Sequence, residues 1–370
     1  MEHKQILIIQ ESVKGGGAEK VLTDLLRHFD NSQYDVTLLL INAYGPHLSE
    51  IPVKIKRIYI NKRPPSLFRR CLNHCAPIRD VLFQNKVKRA VKRKRYDTII
   101  SFMEGPATKA HSFITDHATK NLSWVHTNLI TNHWSAFIYR NLAEEKAAYQ
   151  KMDNIIFVSQ GAKEAFSKLF DISEKLKVIY NIIDYQTINQ KAATSIPEKT
   201  KFTICNVGRL TEQKRQDRLL KIAKILKDKG FEFEIWILGE GKLEFQLKNQ
   251  AKALEISDVV KFLGYQANPY PYIKVSDIFV LTSDTEGYPT VVCEALCLGK
   301  PVISTNITGS DELLANGIGI LTGFEPDAIA EQIGRLIQSR ELCSHYARLA
   351  AQRGQRFQPQ DVMAQIYSLL

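Results

Sequence analysis

The chain has 370 residues, of which 44% are hydrophobic and 24% are charged, and its net charge at pH 7 is +11. This composition is typical of a folded protein of about two domains, and it excludes a disordered chain, a collagen and a small disulfide-rich domain. Since no apolar run approaches the ~20 residues of a membrane-spanning helix, and the first residues lack the apolar core of a signal peptide, we expect a cytoplasmic protein.

The first half of the chain, residues 1–184, alternates short β-branched runs with amphipathic stretches. The runs have the composition of strands that are buried on both faces of a sheet. They are Gln5–Gln10, Asp35–Ile41, Thr98–Phe102, Leu122–Val125, Asn154–Val158 and Lys177–Ile179. Between them, Ala18–Phe29 and Ser135–Gln150 have the period of amphipathic helices.

Most of the excess positive charge lies in residues 51–95, which hold fifteen Lys or Arg residues and one acid, Asp80. Residues 79–95 place four apolar residues at helical spacing among the basic ones, namely Phe83, Val87, Ala90 and Val91. This pattern predicts a basic amphipathic helix that contacts an anionic membrane surface. The alternative is a surface helix whose apolar stripe packs on its own domain. No nucleic-acid partner is expected, since no zinc-finger, RNA-recognition or helix-turn-helix signature is present.

The second half repeats the alternation over residues 201–355. Its predicted strands are Phe202–Val207, Phe233–Leu238, Val259–Phe262, Ile278–Leu281 and Val302–Ser304, and its predicted helices include Gln216–Lys229, Leu243–Leu254 and Asp327–Ser339. Residues 185–200 are polar, contain Pro197 and show no period, so they are predicted to form a linker. The whole pattern predicts an α/β protein of two Rossmann-like, doubly wound parallel-sheet domains. A shared ligand would bind in a cleft between them, outside the carboxyl ends of the strands.

The first motif that carries chemistry is a glycine run, Gly15-Gly16-Gly17, which follows the first predicted strand and opens a helix. Glycine permits a close approach of the backbone, and a helix N-terminus offers free N–H groups to an anion. The motif is not a dinucleotide-binding fingerprint, because Lys20 stands where that fingerprint needs its third glycine. A tight strand-to-helix turn without a ligand is the alternative.

The second motif runs from Gly208 to Lys214, directly after a predicted strand, and contains Arg209. Arg209 and Lys214 are five residues apart and could converge on one anion, with the planar fork of arginine and the point charge of lysine. A diphosphate fits this pair. Taken alone, the two cations are equally well explained as solvated surface charges.

The third motif is the most specific and runs from Glu286 to Glu294. Gly287 and Pro289 predict a loop that ends at the start of a helix, and the N–H groups near Thr290 would point at an anion. The two acids can accept hydrogen bonds from vicinal hydroxyl groups of sugars. A capped helix with incidental acids is the alternative.

Together, these motifs and Gly299-Lys300-Pro301-Val302-Ile303 resemble glycosyltransferase family 4, a group of retaining enzymes with the GT-B fold. The resemblance covers nearly the whole chain and is densest over residues 202–323. It implies that residues 1–184 bind the acceptor, that 201–355 bind the nucleotide sugar, and that a helix at 356–370 returns to the first domain.

The resemblance also implies roles for residues of the second half. Arg209 and Lys214 would neutralise the donor diphosphate, Glu286 would hold hydroxyl groups of the donor sugar, and Glu294 would hold the ribose. Further residues predicted to bind the donor are Gly208, Gly264, Tyr265, Gly287, Tyr288, Pro289 and Thr290.

In the first half, the resemblance places Gly16 and Gly17 beside the diphosphate and His126 beside the donor sugar. His126 follows a predicted strand and is predicted to be catalytic, whereas a lone histidine at a strand end is otherwise more often structural. Glu104, after another strand, is predicted to contact the acceptor together with His126.

We therefore expect a retaining transferase that moves a hexose or N-acetylhexosamine from a nucleotide sugar, UDP-linked as in most of the family, to a lipid-linked or surface-polysaccharide acceptor. The sequence has no Asp-x-Asp motif and no His or Cys cluster with metal-ligand spacing, so we expect neither a metal nor another cofactor. The protein would associate peripherally with the inner face of the membrane through residues 79–95. The alternative function is a nucleic-acid- or anion-binding module that uses the basic segment 51–95.

Overall fold

The computed structural model describes residues 3–62, 76–194 and 197–370. The chain divides into two compact units, of which one comprises Met1–Ile182 and Pro359–Leu370 and the other Ile183–Gln358. Each unit is built around one parallel sheet with helices between its strands. The α/β fold of two doubly wound domains that was predicted from the sequence is therefore confirmed.

The sheet of the first unit has seven parallel strands in the order β3-β2-β1-β4-β5-β6-β7. Their bounds are β1 Lys4–Gln10, β2 Tyr34–Asn42, β3 Lys56–Asn61, β4 Tyr96–Ser101, β5 Ala118–Val125, β6 Asn154–Phe157 and β7 Leu176–Val178. The central strand β1 is an unbroken apolar run because both of its faces are covered, and Ile6 to Ile9 are completely buried. The strand order reverses between β1 and β4, where ligands bind in folds of this kind.

The helices of the first unit are α1 Gly17–His28, α2 Ala76–Val91, α3 Pro106–His111, α4 Leu142–Gln150, α5 Gln160–Phe170 and, at the C-terminus, α14 Pro359–Tyr367. The predicted helix Ser135–Gln150 is wrong in its first part. A short 3-10 helix, Trp134–Ile138, is separated from α4 by a break, and the Asn141 side chain caps α4 by accepting from the N–H of Glu144. The break leaves an irregular segment after β5.

The sheet of the second unit has six parallel strands in the order β10-β9-β8-β11-β12-β13, and its order reverses between β8 and β11. The strands are β8 Phe202–Val207, β9 Phe233–Leu238, β10 Val260–Gly264, β11 Ile278–Leu281, β12 Val302–Thr305 and β13 Ile320–Thr322. The helices are α6 Tyr185–Ala192, α7 Gln216–Asp228, α8 Glu244–Ala253, α9 Tyr270–Val275, α10 Thr290–Cys297, α11 Ser310–Leu313, α12 Pro326–Gln338 and α13 Arg340–Gly354. Helix α6 lies within residues 185–200, so the first half of the predicted linker is helical, and its role as a linker stays a prediction.

The basic helix ends earlier than predicted and uses its apolar stripe differently. Helix α2 stops at Val91, and Lys92 adopts a left-handed conformation with φ 55°. Val87 and Val91 are buried in the core of the first unit, and Phe83 and Ala90 pack against the same core. The stripe that we expected on a membrane is thus internal, because the apolar face of α2 covers the sheet. Residues 63–75 of the basic segment lie outside the described residues.

No helix in the described parts of the chain has the length and apolar composition needed to cross a bilayer.

The C-terminal helix α14 belongs to the first unit. The ring of Tyr367 stacks on Tyr34 with centroids 4.9 Å apart and an interplanar angle of 4°. The Tyr367 hydroxyl accepts from the N–H of Asp30 at 2.8 Å and donates to the carbonyl of His28 at 3.1 Å. These contacts attach the end of the chain to α1 and β2, more than 300 residues earlier in the sequence.

Candidate active site

The polar residues of the second and third motifs lie at one edge of the second sheet. Arg209 and Lys214 follow β8, and Glu286 follows β11, which is the neighbour of β8 at the reversal of strand order. Parallel strands bring their carboxyl ends to one edge, so residues that are more than 70 positions apart in sequence meet there. This edge is where a doubly wound sheet binds its ligands.

Glycines let the backbone loops of this edge approach closely. The N–H of Gly208 donates to the carbonyl of Leu238 at 2.9 Å. A Cβ on Gly239, whose φ is +134°, would lie 2.0 Å from the carbonyl oxygen of Gly208. The side chain of Lys214 lies over Gly208, with its Cδ 3.5 Å from the position of a Cβ there. Glycine at 208 and 239 thus keeps the ends of β8 and β9 together and gives Lys214 its path to the edge.

Lys214 and Glu286 form an ion pair with an Nζ–Oε1 distance of 2.5 Å, and their side chains are only 16% and 11% exposed. The Ser283 hydroxyl donates to the same carboxylate oxygen at 2.8 Å. Arg209 is exposed, and no ion pair joins its guanidinium to a carboxylate among the described residues. The edge therefore presents a fixed lysine, an acid held beside it, and an arginine that is available to an anion.

A second group of charges supports the loop that carries Glu286, and the sequence motifs did not reveal it. Arg218 is 5% exposed and donates to the carbonyl of Thr282 at 2.5 Å and to Asp284 at 2.7 Å. Arg215 reaches the same carboxylate at 2.9 Å, and the backbone N–H of Asp284 donates to Gln213. The loops after β8 and β11 are therefore joined on both sides of the Lys214–Glu286 pair.

The glycine-proline loop ends at the start of α10, as predicted. Pro289 precedes the helix, which begins at Thr290 without a side-chain cap. The loop is held from outside by Gly309, with φ +80°, where a Cβ would lie 2.6 Å from the carbonyl oxygen of Gly287 and 2.8 Å from Cα of Tyr288. In the first turn of α10, the N–H groups of Thr290 and Val291 are the ones offered to an anion, because that of Val292 donates to the carbonyl of Pro289.

Glu294 is the fifth residue of α10, eight positions after Glu286 of the preceding loop, and is 3% exposed. The hydroxyl of Tyr270 donates to its carboxylate at 3.4 Å. Gly264 and Tyr265 lie at the end of β10: nothing lies within 4 Å of a Cβ on Gly264, and Tyr265 is 53% exposed. All of the residues predicted for donor binding in the second half thus occupy the carboxyl side of one sheet, and their roles in binding stay predictions.

The glycine run of the first unit forms the turn between β1 and α1. Gly15 has φ +99°, and Gly16 is the residue before the helix, which starts at Gly17. The Glu19 carboxylate lies against Gly16, since a Cβ there would be 2.3 Å from Oε2. Gly16 therefore makes room for an acid at the helix start, where a negative charge is favoured by the helix dipole.

Glu104 and His126 are brought together at the carboxyl ends of β4 and β5. Glu104 is completely buried, and its two oxygens accept from the backbone N–H of His126 and from the indole N–H of Trp134, both at 2.8 Å. Each oxygen of Glu104 already accepts a hydrogen bond from the protein, and a direct contact of Glu104 with an acceptor stays a prediction. Sequence reasoning did not single out Trp134.

His126 is 9% exposed, and its ring lies 4.9 Å from that of Phe102. Burial lowers the pKa of His126, whereas the negative charge of Glu104 and a hydrogen bond with the backbone of Phe102 oppose this shift. Nε2 is buried and has no hydrogen-bond partner among the described residues. The imidazole is therefore neutral at pH 7 and retains an unused polar atom.

The comparisons with known proteins identify the family and the fold. A family model for glycosyl transferases group 1 matches residues 186–353, and one for glycosyltransferase family 4 matches residues 15–187. The chain belongs to the group 1, or family 4, glycosyltransferases. Between them, the two matches cover both units, and the boundary between the matches falls close to the division at Ile182 and Ile183.

Two curated relatives illustrate the range of similarity. An uncharacterized glycosyltransferase of Methanocaldococcus jannaschii is 32% identical over 56% of this chain, and the chain spans only about half of that relative, 53%. The N-acetylgalactosamine-N,N'-diacetylbacillosaminyl-diphospho-undecaprenol 4-alpha-N-acetylgalactosaminyltransferase of Campylobacter jejuni is 27% identical over 94% of this chain and 93% of its own.

Among solved structures, Anabaena Alr3699/HepE in complex with UDP and glucose has a TM-score of 0.77 at 22% identity and covers 99% of both chains. This likeness shows that the present chain has the same fold as that protein. It is the GT-B fold that the motifs of the present sequence imply.

Proposed function

We propose that this glycosyltransferase transfers a sugar from a UDP-sugar to a lipid-linked or polysaccharide acceptor in polysaccharide biosynthesis. The observation that carries the proposal is the arrangement at the carboxyl edge of the second sheet, where exposed Arg209 and the Lys214–Glu286 pair follow the neighbouring strands β8 and β11, and the loop of Glu286 leads into α10. Two cations and a helix N-terminus match the charge of a diphosphate. The acids Glu286 and Glu294 match the hydroxyl groups of its two sugars.

The reaction follows from the charges that develop. When the bond between the anomeric carbon and the diphosphate oxygen breaks, the electron pair leaves with the diphosphate and the sugar becomes cationic. Arg209, Lys214 and the N–H groups at the start of α10 would stabilise the leaving diphosphate. The acceptor oxygen then bonds to the anomeric carbon, and its proton passes to the leaving phosphate. Attack from the same face retains the configuration, and no metal ion is required in this scheme.

The donor assignment is supported by the solved structure with UDP and glucose that shares the fold. The acceptor assignment is supported by the Campylobacter relative, whose name specifies a diphospho-undecaprenol substrate. A hexose or N-acetylhexosamine is therefore the donor sugar that we expect, and a lipid-linked saccharide is the acceptor class.

A peripheral contact with an anionic membrane is part of the proposal, in a revised form. The apolar stripe of α2 is internal, but its outer side exposes Val81 and Leu82, which are 56% and 58% exposed, with Lys88 and Arg89 farther along. We expect reversal of both charges, Lys88→Glu with Arg89→Glu, to reduce flotation with phosphatidylglycerol vesicles, while the matched change Lys224→Glu with Lys227→Glu on α7 leaves flotation unchanged. Equal flotation of both pairs would contradict the contact.

The central test compares the melting temperature of the protein with and without UDP. UDP should raise the melting temperature because a ligand that binds only the folded state stabilises it. Arg209→Ala should abolish the shift, whereas Arg335→Ala, an exposed arginine on α12, should preserve it. An equal UDP shift in both variants would contradict the donor site. If duplex DNA raised the melting temperature and UDP did not, the nucleic-acid-binding alternative would replace the proposal.

A further inference from the structure

The segment after β5, residues 127–141, is irregular in backbone yet firmly held by buried polar contacts. The centre of these contacts is Glu145 of α4, whose side chain is 1% exposed. Its two oxygens accept from the Ser135 hydroxyl at 2.6 Å and bind the His133 ring at 2.8 Å. The Lys109 ammonium, which is also buried, donates to the carbonyl of Ile138 at 3.0 Å. The segment is therefore fixed without belonging to the sheet.

The same segment is joined to the His126 site through Trp134. Glu104 accepts from Trp134 and from the backbone N–H of His126 with its two different oxygens. Gly105, with φ +77°, leaves room for the indole, because a Cβ there would lie 2.9 Å from Cη2 of Trp134. The hydroxyl of Tyr139 also donates to the carbonyl of Gly105, at 3.2 Å. Glu104 is thus a positioning residue that sets the indole relative to His126.

This fixed segment presents an aromatic ring to solvent. Phe137 is 71% exposed, and its centroid lies 6.3 Å from that of Trp134, at an interplanar angle of 54°. An exposed phenyl ring costs free energy in water. Phe137 lies on a 3-10 helix in which Ser135 and Ile138 are held by hydrogen bonds to Glu145 and Lys109. A rigid aromatic surface offers a large contact area at little entropic cost. Glu104, which accepts from Trp134, also accepts from the backbone N–H of His126, so the segment that carries the ring is attached to that site.

We propose that Trp134 and Phe137 form a platform for a sugar ring of the acceptor. The proposal rests on the proposed function, which it deepens by assigning the acceptor's specificity to this segment. One face of a pyranose carries C–H groups that stack on an aromatic ring, while its hydroxyl groups need polar partners. The platform supplies the surface for the C–H face, and the hydroxyl groups on the other face stay in water. The acceptor is chosen over the donor because Glu104 joins Trp134 to His126, and Glu104 and His126 are the two residues predicted to contact the acceptor, whereas most residues predicted to bind the donor lie in the second unit.

The test measures saturation transfer by NMR from the full-length protein, saturated with UDP, to methyl α-glycosides of glucose, galactose, N-acetylglucosamine and N-acetylgalactosamine. At least one glycoside should receive saturation with the wild type and with Phe137→Tyr, which keeps an aromatic ring. Phe137→Ala and Phe137→Leu should bind it about three- to tenfold more weakly, the range expected for one aromatic contact. Phe245→Ala, which removes a 79% exposed ring from the second unit, should have no effect.

The outcomes separate this inference from the proposed function and from a lipid contact. If the UDP shift is intact but no glycoside receives saturation, or Phe137→Ala binds as the wild type does, the platform is overturned while donor binding stands. If Phe137→Leu keeps glycoside binding, apolar contact rather than stacking is responsible, and the aromatic assignment is overturned. If Phe137→Ala loses flotation with phosphatidylglycerol vesicles and glycoside binding is unchanged, the ring is a membrane contact and the inference fails.

Discussion

The carboxyl edges of the two sheets hold their polar groups in opposite ways. In the second unit, Arg209 is exposed, and the Lys214–Glu286 pair remains partly accessible at 16% and 11%. In the first unit, Glu104 is completely buried and its oxygens are both bound by protein N–H groups. The second edge thus offers charge to a ligand, whereas the first uses its charge internally to hold an aromatic surface. Both edges follow from one fold, so their different chemistry comes from the loops alone.

The largest effect should come from removing the lysine of the second edge. Lys214→Ala should lower kcat by about 10²–10³-fold, the usual loss when one preorganised group that stabilises developing charge is removed. Glu286 would also lose its ion-pair partner. Sugar transfer or slow hydrolysis of the UDP-sugar, followed by UDP release, measures this loss. Lys224→Ala on α7 is the control, and an equal loss in both variants would show that the Lys214–Glu286 edge is not the donor site.

Glu145→Ala should have a smaller effect, which is a loss of stability in the first unit. The change leaves Ser135 and His133 without their buried acceptor, which should lower the free energy of unfolding by about 2–3 kcal/mol. Urea unfolding in a Trp236→Phe background measures it, because the remaining tryptophans, Trp124 and Trp134, lie in the first unit. The UDP-induced thermal shift should persist. Glu164→Ala, an exposed site on α5, is the control.

Mild acid should also weaken the first unit selectively. Burial lowers the pKa of His111 from 6.5 to about 4, against the opposing effects of its bond to Asn121 and the charge of Asp153. Between pH 6.5 and pH 4, His111 is protonated in the unfolded chain but not in the folded chain. The free energy of unfolding therefore decreases as the pH is lowered from about 6.5 to about 4. At pH 5 the loss from His111 should be about 2 kcal/mol.

The check is the same tryptophan-monitored urea unfolding at pH 7 and pH 5. His111→Gln should be less stable at pH 7 but should lose less stability on acidification. Part of the slope should remain, because burial lowers the pKa of His126 in the same direction. An unchanged slope in His111→Gln would refute the assignment.

The smallest predicted effect compares two glycines of the second unit. Gly309 and Gly317 have φ values of +80° and +76°, so alanine should strain the backbone by about 1 kcal/mol at either position. A Cβ on Gly309 would also press on the Gly287 loop, whereas nothing lies within 4 Å of a Cβ on Gly317. Gly309→Ala should therefore weaken UDP binding about tenfold, and Gly317→Ala should not. Calorimetric titration with UDP measures the affinity of each variant, and equal affinities of Gly309→Ala and Gly317→Ala would contradict the prediction.

The sequence predicted the second edge better than the first because the second edge is encoded by contiguous motifs. Glu286 to Glu294 contains its own loop and helix start, and Gly208 to Lys214 contains the whole loop between β8 and α7 up to Lys214, so local chemistry is enough to recognise them. Arg218 and Asp284 were missed because their pairing depends on the contact between two strand ends. Glu104 and His126 were found separately, but their hydrogen bond and the role of Trp134 depend on the tertiary fold.

The errors in the fold have similar causes. Strand β3 was not predicted, since its residues are exposed or only half-buried and Lys56 and Arg57 interrupt its apolar pattern. Strand β13 has only three residues. The apolar stripe of α2 was correctly placed on one face of a helix, but periodicity alone does not distinguish a face that covers a sheet from one that lies on a membrane. Contact with the core of the first unit decided that choice.

The return of the last residues to the beginning of the fold has a consequence for synthesis. Residues Pro359–Leu370 supply Tyr367, which stacks on Tyr34, so the first unit cannot be completed until residues 359–370 have been synthesised. Residues Ile183–Gln358 need no later segment and can fold as soon as they emerge. The usual order of folding during translation, with the N-terminal domain first, is therefore reversed for the final step of this protein.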